Sequence, residues 1–442
     1  MAVLKWLYPG MRVKRWLLFS TAGILLAVLG AGILLGSDLI EKCAFFLSRL
    51  DGGEAGGPAA LGAGVCLVVL GTAALGCGFI KALHSVAASL LPEQEGRAAD
   101  IVYTRQCLSR GPKIVVMGGG TGLSVLLRGL KEYTSNITAV VTVADDGGSS
   151  GVLRQRLGVQ PPGDIRNCLA ALADAEPLME ELLQYRFKNG ELAGHTVGNL
   201  LLAALSEMTG DMEKAVRGLS KVLAVRGQVL PATLSNVTLC AETEDGTLVH
   251  GESNIARCGR RIARVFLKPV RCWPLPGALA AIREADAVVL GPGSLYTSII
   301  PNLLVKGVPE ALAESRAVKI FVCNIMTQPG ETDGYPASLH ARAVIEHAGK
   351  VIDWAVVNTG SVPKAALSRY RQEGSEPVEA DLNALEALGI KALGADLVQQ
   401  AEYVRHHPQK LARLILGIIL AAKNGQVSEG EGEIPKISQV FF

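Results

Sequence analysis

Residues Lys113 to Ser124 constrain the fold more tightly than any other stretch of the chain. An apolar run from Lys113 to Met117 leads into Gly118, Gly119, Gly120, Thr121 and Gly122, and a helical pattern begins near Leu123. A buried strand, a glycine loop and a helix in direct succession commit the chain around them to an α/β architecture. The glycines let backbone N–H groups approach an oxyanion closely, and the following helix turns its positive end to the same point. The loop therefore suits an anionic ligand, the bland alternative being a tight turn between strand and helix. A P-loop would close on Gly-Lys-Ser/Thr, whereas this loop closes on Gly122-Leu123-Ser124. The dinucleotide fingerprint G-x-G-x-x-G fails as well, because Leu123 and Val125 stand where its last glycine would be.

The polar residues downstream follow the ends of apolar runs. Strands are expected at Lys113–Met117, Ile137–Ala144, Ala287–Leu290, Lys319–Asn324 and Trp354–Asn358, each continuous enough for a sheet covered on both faces. The implied fold is a Rossmann-like, doubly wound, mostly parallel sheet, with a more antiparallel insertion over residues 237–266 turning at Glu242–Thr247. Asp145 and Asp146 end the second strand, where such a sheet places an acid for a ribose or a metal. Gly291, Gly293 and Ser294, with Thr297 and Ser298 behind them, repeat the logic of the first loop, and Ser294 doubles as a candidate helix cap. Asn324, Thr327 and Asn358 close further strands. Asp164 beside Arg166 and Asn167 is either a cap or a metal ligand, Asp145 and Asp164 being the candidate Mg²⁺ pair. His195, at a helix start, is the one candidate acid or base in its segment, against a structural role. No catalytic residue stands out.

These four motifs, the loop at Gly118–Gly122, Asp145 to Gly151, Pro161 to Asn167 and Gly291 to Thr297, resemble the bacterial gluconeogenesis-factor family (YvcK type), relatives of 2-phospho-L-lactate transferase. The resemblance runs from about Lys113 to Arg413. It implies a UDP-sugar ligand such as UDP-N-acetylglucosamine, with Tyr370 and Arg405 at the nucleotide sugar, and a regulatory role in gluconeogenic growth, cell shape and cell-wall synthesis. The other branch implies a Mg²⁺-dependent transfer of a phospho-lactate or nucleotidyl group. A homo-oligomer is expected, with cell-wall synthesis proteins as candidate partners. A nicotinamide oxidoreductase is disfavoured by the failed fingerprint.

A hydrophobic share of 49% in 442 residues is high for a wholly soluble chain. Two uncharged runs account for it, Trp16 to Gly36 and Ala59 to Ile80, each long enough to cross a hydrocarbon core. Residues 1–90 thus read as a transmembrane hairpin, 91–112 as a linker, 113–423 as the ligand-binding domain and 424–442 as a flexible tail. Gly32 with Gly36, and Thr72 with Gly76, are candidate helix-packing pairs. Lys5, Arg12, Lys14 and Arg15 before the first run, and Lys81, Arg97 and Arg105 after the second, place both ends in the cytoplasm: a multi-pass protein of the cell membrane. A net charge of +2 and 5% aromatics argue against nucleic acid. The nine cysteines show neither C-x-x-C pairs nor zinc spacing and read as reduced thiols.

Overall fold

The computed structural model describes residues 13–35, 58–90, 98–174, 177–399 and 403–423. The chain divides into two compact units, residues 1–104 and 105–442.

In the first unit two helices, Val13–Leu35 and Pro58–Leu90, pack against each other. Both are long and apolar enough to cross a membrane. The close approaches across their contact fall at glycines outside the expected pairs, although Gly32 is itself buried. A Cβ on Gly71 would stand 2.5 Å from the Ala27 nitrogen and 2.6 Å from the Gly23 carbonyl oxygen, and one on Gly30 would stand 2.7 Å from the Gly64 oxygen. Gly23, Gly30, Gly64, Gly71 and Gly78 recur every seven residues, which keeps them on one seam of each helix. Gly76 meets nothing within 4 Å, and the Thr72 hydroxyl bonds back to Val68 in its own helix. Gly36 and the segment joining the helices lie outside the described residues. The second helix runs on to Leu90, well past Ile80, because no glycine or proline follows Lys81 until Pro92.

The linker expected over 91–112 is in part a helix, Ala98–Ser109. Its sequence holds no glycine or proline, and Gly111 and Pro112 end it. The tail from Asn424 lies outside the described residues.

The second unit is organised around a seven-stranded sheet. In chain order the strands are β1 (Ile114–Gly118), β2 (Ile137–Val141), β3 (Gln228–Pro231), β4 (Thr238–Thr243), β5 (Leu248–His250), β6 (Ile262–Lys268), β7 (Ala287–Leu290), β8 (Val318–Val322), β9 (Trp354–Asn358), β10 (Lys391–Ala395), β11 (Val398–Gln399) and β12 (Arg405–His406). The main sheet runs β10-β9-β8-β7-β1-β2-β3, and every pairing in it is parallel. β1 and β7 are buried at every position, as strands covered by helices on both faces must be. The insertion is an antiparallel sheet, β5-β4-β6, turning between Thr243 and Thr247. The last helix, Pro408–Lys423, lays Leu411, Leu414, Ile415 and Ile418 into the core.

Candidate functional site

The strand order reverses between β1 and β7. The chain leaves β1 toward β2 and β3 but leaves β7 toward β8, β9 and β10, so the loops after these neighbours diverge and open a crevice. Gly119 is extended, Gly120 takes φ +68°, and the helix Gly120–Leu130 follows at once. Only glycine adopts that left-handed conformation cheaply. A Cβ on Gly122 would stand 2.7 Å from the Pro292 carbonyl oxygen, so the two loops meet through bare backbone. The first turn of this helix carries no acidic residue and no cap from Gly119, but its Gly120 amide donates to the Asp164 carboxyl, so an anion would meet the amides that follow.

The loop after β7 starts at Gly291 with φ +82° and enters a π-helical turn, Leu295–Ile299. Asn324, beyond β8, clamps it from both sides: its Nδ2 donates to the Gly293 oxygen at 2.7 Å and its Oδ1 accepts from the Gly293 nitrogen at 3.2 Å. Gln328 Nε2 donates to Ser294 Oγ at 2.7 Å, whereas Ser294 makes no capping bond of its own. The Thr297 hydroxyl turns away from Ser294 and donates to Glu331 Oε1 at 3.0 Å, and the Tyr296 nitrogen donates to Oε2 at 3.3 Å. Burial pushes the Glu331 carboxyl up to about 6, against the pull of those donors.

The far wall comes from the C-terminal part of the unit. Tyr370, on the helix Lys364–Gln372, accepts from the Val404 nitrogen through its hydroxyl at 3.2 Å and packs on Ile325, Met326 and Val398. The Arg369 guanidinium lies 4.7 Å from the Tyr403 ring centre, and that of Arg405 lies 5.8 Å from the same ring. Together these elements enclose a cleft of about 450 Å³ lined by Gly119 to Gly122, Gly293, Ser294, Ser298, Asn324, Thr327, Gln328, Tyr370, Tyr403, Arg405 and His406. That is the size range of small-ligand sites. His406, next to Arg405, is buried, and burial pushes its imidazole down to about 4, so it adds no positive charge to the cleft near neutral pH.

A second group of polar residues stands behind the first loop. A Cβ on Gly119 would run into Asp164 Oδ2, and one on Gly163 would stand 3.2 Å from Asp145 Oδ2. Burial, and then the Asp145 charge, push the Asp164 carboxyl up to about 6, while the Gly120 amide and Arg166 act the other way. Glu252 is pushed well up by burial and then by Asp145 and Asp164, and its Oε2 is shielded from solvent with no hydrogen-bond partner. Asp145 Oδ1 accepts from the Gly147 nitrogen at 2.9 Å, and Asp146 Oδ1 accepts from the Ser253 hydroxyl at 2.7 Å. Among the described residues no three His, Cys, Asp or Glu side chains converge as a ready-made metal cage.

A family model described as 2-phospho-L-lactate transferase CofD matches residues 114–398. The chain belongs to the CofD family. It is 50% identical over 315 residues to the gluconeogenesis factor of Bacillus subtilis (strain 168), covering 71% of this chain and 99% of that one. A relative from Nostoc sp. (strain PCC 7120 / SAG 25.82 / UTEX 2576) is 49% identical over 431 residues, 96% of this chain and 94% of the relative, a span that must include most of the N-terminal helices. The crystal structure of a Bacillus halodurans protein superposes with TM-score 0.68 at 50% identity, covering 69% of this chain and 99% of that one.

In this CofD-family crevice eleven residues singled out from sequence share one lining: Gly119, Gly120, Thr121, Gly122, Gly293, Ser294, Ser298, Asn324, Thr327, Tyr370 and Arg405. Gly118 ends β1 beneath them, its carbonyl accepting from Thr142 and Asn302, and Gly291 forms the turn after β7. Asp145, Asp146 and Asp164 stand outside the lining, on the other side of Gly119. Asp164 does not cap its helix, Gly163–Leu172, whose cap position is Pro162. His195 Nδ1 pairs with Ser149 Oγ at 2.9 Å, away from the cleft. Tyr403, Gln328, Glu331 and Glu252 were not singled out. Gln328 was within reach, four residues beyond Asn324 on a strand-end loop, whereas Glu252 follows the insertion and nothing local marks it.

Proposed function

We propose that the cleft between β1, β7 and the Tyr370–Arg405 wall binds a UDP-sugar resembling UDP-N-acetylglucosamine. On this reading the protein is a regulatory binding protein that couples gluconeogenic growth to cell-wall synthesis and cell shape. The observation that carries it is the convergence of two glycine loops, one of them opening a helix, and of the Ser294 and Ser298 hydroxyls on a wall of two tyrosines and Arg405. The loops suit a diphosphate, Arg405 suits its charge, and the Tyr370 or Tyr403 ring suits a uracil or sugar face. The apolar hairpin would hold this unit at the cytoplasmic face of the cell membrane. Calorimetry of residues 105–442 against UDP-sugars, NAD and guanine nucleotides tests the reading; tight binding of either of the last two with none of the first would overturn it.

One observation favours a second reading. Asp145 and Asp164 stand one backbone's width from the first loop, and burial, then the Asp145 charge, raises Asp164. Mg²⁺ is commonly held by one or two carboxylates together with substrate phosphates, so this pair fits such an ion although no full cage is present. There it would neutralise phosphate charge during transfer of a phospho-lactate or nucleotidyl group, while the loops fix the donor. Turnover of a phosphorylated acceptor that requires Mg²⁺ and is lost in Asp145→Asn would establish that chemistry instead.

A further inference from the structure

The antiparallel insertion leaves β6 through a loop that holds its large apolar side chains in water. From Lys268 the chain reads Pro269, Val270, Arg271, Cys272, Trp273 and Pro274 before the helix Pro276–Glu284 begins. Cys272 is buried, whereas Trp273 is 61% and Val270 73% exposed. The backbone beneath them is tied down on two sides. The Thr233 hydroxyl donates to the Trp273 oxygen at 2.6 Å, Thr233 forms a bridge with Pro274, and the Lys306 nitrogen donates to the Cys272 oxygen at 3.2 Å. Pro269, Pro274 and Pro276 restrict the chain further. Leu234, beside Thr233, adds a third exposed apolar side chain.

The charge around this loop has one sign. The segments that meet here, residues 231–240, 263–282 and 291–309, contain no Asp or Glu. They contribute Lys268, Arg271 and Lys306, all exposed, and the nearest acid in sequence is Glu310, one turn into the helix that follows Lys306. Among the described residues none of these three cations is in an ion pair, whereas Arg260 and Arg264 earlier in the insertion are paired with Asp245 and Glu242. The Lys306 ammonium stands 4.7 Å from the Trp273 ring centre. Tryptophan among cations is the composition that gathers where lipid headgroups meet water, the ring leaving water and the cations meeting phosphates. A nucleic-acid strand would stack on the ring but leave Val270 and Leu234 in water. We infer that this loop is a peripheral membrane contact: Trp273 and Val270 enter the headgroup layer of an anionic bilayer, and Lys268, Arg271 and Lys306 neutralise its phosphates. The inference is independent of what the cleft binds and of whether the first unit spans a membrane; a spanning hairpin would only raise the local concentration of bilayer.

Co-sedimentation of residues 105–442 with lipid vesicles tests it; the crystallised relative is matched over almost its whole length by the second unit alone, so that unit folds by itself. The unit should bind vesicles made of phosphatidylglycerol and phosphatidylcholine in equal parts and not phosphatidylcholine alone, the affinity falling as salt rises. A basic residue at an anionic surface contributes roughly a fivefold factor, so Lys268→Glu/Arg271→Glu should weaken binding about thirtyfold or more at an unchanged melting temperature. Trp273 and Trp354 are the tryptophans of this unit. Its emission should move to shorter wavelength on the anionic vesicles, a shift lost in Trp273→Ala, which should also bind several-fold more weakly. No binding to the anionic vesicles at low salt, equal binding to neutral ones, a double variant that binds as the parent does, or an unshifted emission from the bound unit would each overturn the inference. So would tighter binding to oligothymidylate or to polyglutamate through Lys268 and Arg271, which would assign the loop to nucleic acid or to an acidic protein.

Discussion

At the scale of single residues, Arg405 lines the crevice and Asp164 stands behind its glycine loop. Arg405 reaches the cleft from a two-residue strand, with Tyr403 beneath its guanidinium. A charge-assisted bond to phosphate contributes about 1.5 to 3 kcal/mol, so Arg405→Ala should weaken UDP-sugar binding roughly ten- to a hundredfold by calorimetry without lowering thermal stability. Asp164 works against the fold that holds it. Its carboxyl is raised from 3.8 to about 6, so the folded state binds the proton more tightly than the unfolded chain does. The stabilisation from that proton is complete below the unfolded value and is lost as pH rises through the folded one. At pH 7 to 8 Asp164 is ionised against Asp145, a state that Asp164→Asn cannot enter. The variant should therefore melt a few degrees higher than the parent at pH 8, an advantage that shrinks between pH 6 and 4. Mg²⁺ held by the Asp145 and Asp164 pair would narrow the gap at pH 8 in the same melting series.

At the scale of elements, legibility followed from how local each determinant is. β7 and β9 begin and end where their apolar runs do, because a strand buried on both faces must be apolar throughout. β2 stops at Val141 and not at Ala144, since β1 ends at Gly118: the Thr142 nitrogen bonds the Gly118 carbonyl as the last rung of their ladder, a limit set by a partner distant in sequence. Tyr403 escaped notice for the same reason: its role depends on Arg369 and Arg405 meeting over its ring. The hairpin is the sharper case. Small-xxx-small spacing pointed to Thr72 and Gly76, but an antiparallel pair of helices held in register follows a seven-residue seam, and that seam is Gly64, Gly71 and Gly78 against Gly23 and Gly30. Gly71→Leu should therefore force the helices apart and Gly76→Leu should not, because a Cβ at Gly76 enters open space. Cross-linking of cysteines placed at Ala27 and Ala74 reads the difference, falling in the Gly71 variant and persisting in the Gly76 variant.

At the scale of the whole molecule, a membrane-spanning hairpin would decide in which compartment the crevice works. Trp16 lies between two cations, the Arg15 guanidinium 5.1 Å and the Lys81 ammonium 4.5 Å from its ring centre, so the start of the first helix and the Lys81 turn of the second stand at one level. Tryptophan and flanking cations gather at the interface between lipid and water, and an excess of Lys and Arg marks the cytoplasmic side. Below that level both helices are uncharged, over Trp16 to Leu35 and Ala59 to Ile80, about 30 Å of helix each. On the proposed reading, in which the helices span, the cation count would put the start of the chain and everything after Lys81, the crevice included, in the cytoplasm, where nucleotide sugars are made and used. A cysteine introduced as Gly53→Cys, with Cys43 replaced by serine, should react with a membrane-impermeant maleimide in intact cells. Ser428→Cys should react only after permeabilisation. The opposite pattern would turn the hairpin over and remove the cleft from the nucleotide pool, and labelling of both positions without permeabilisation would mean that the helices do not span.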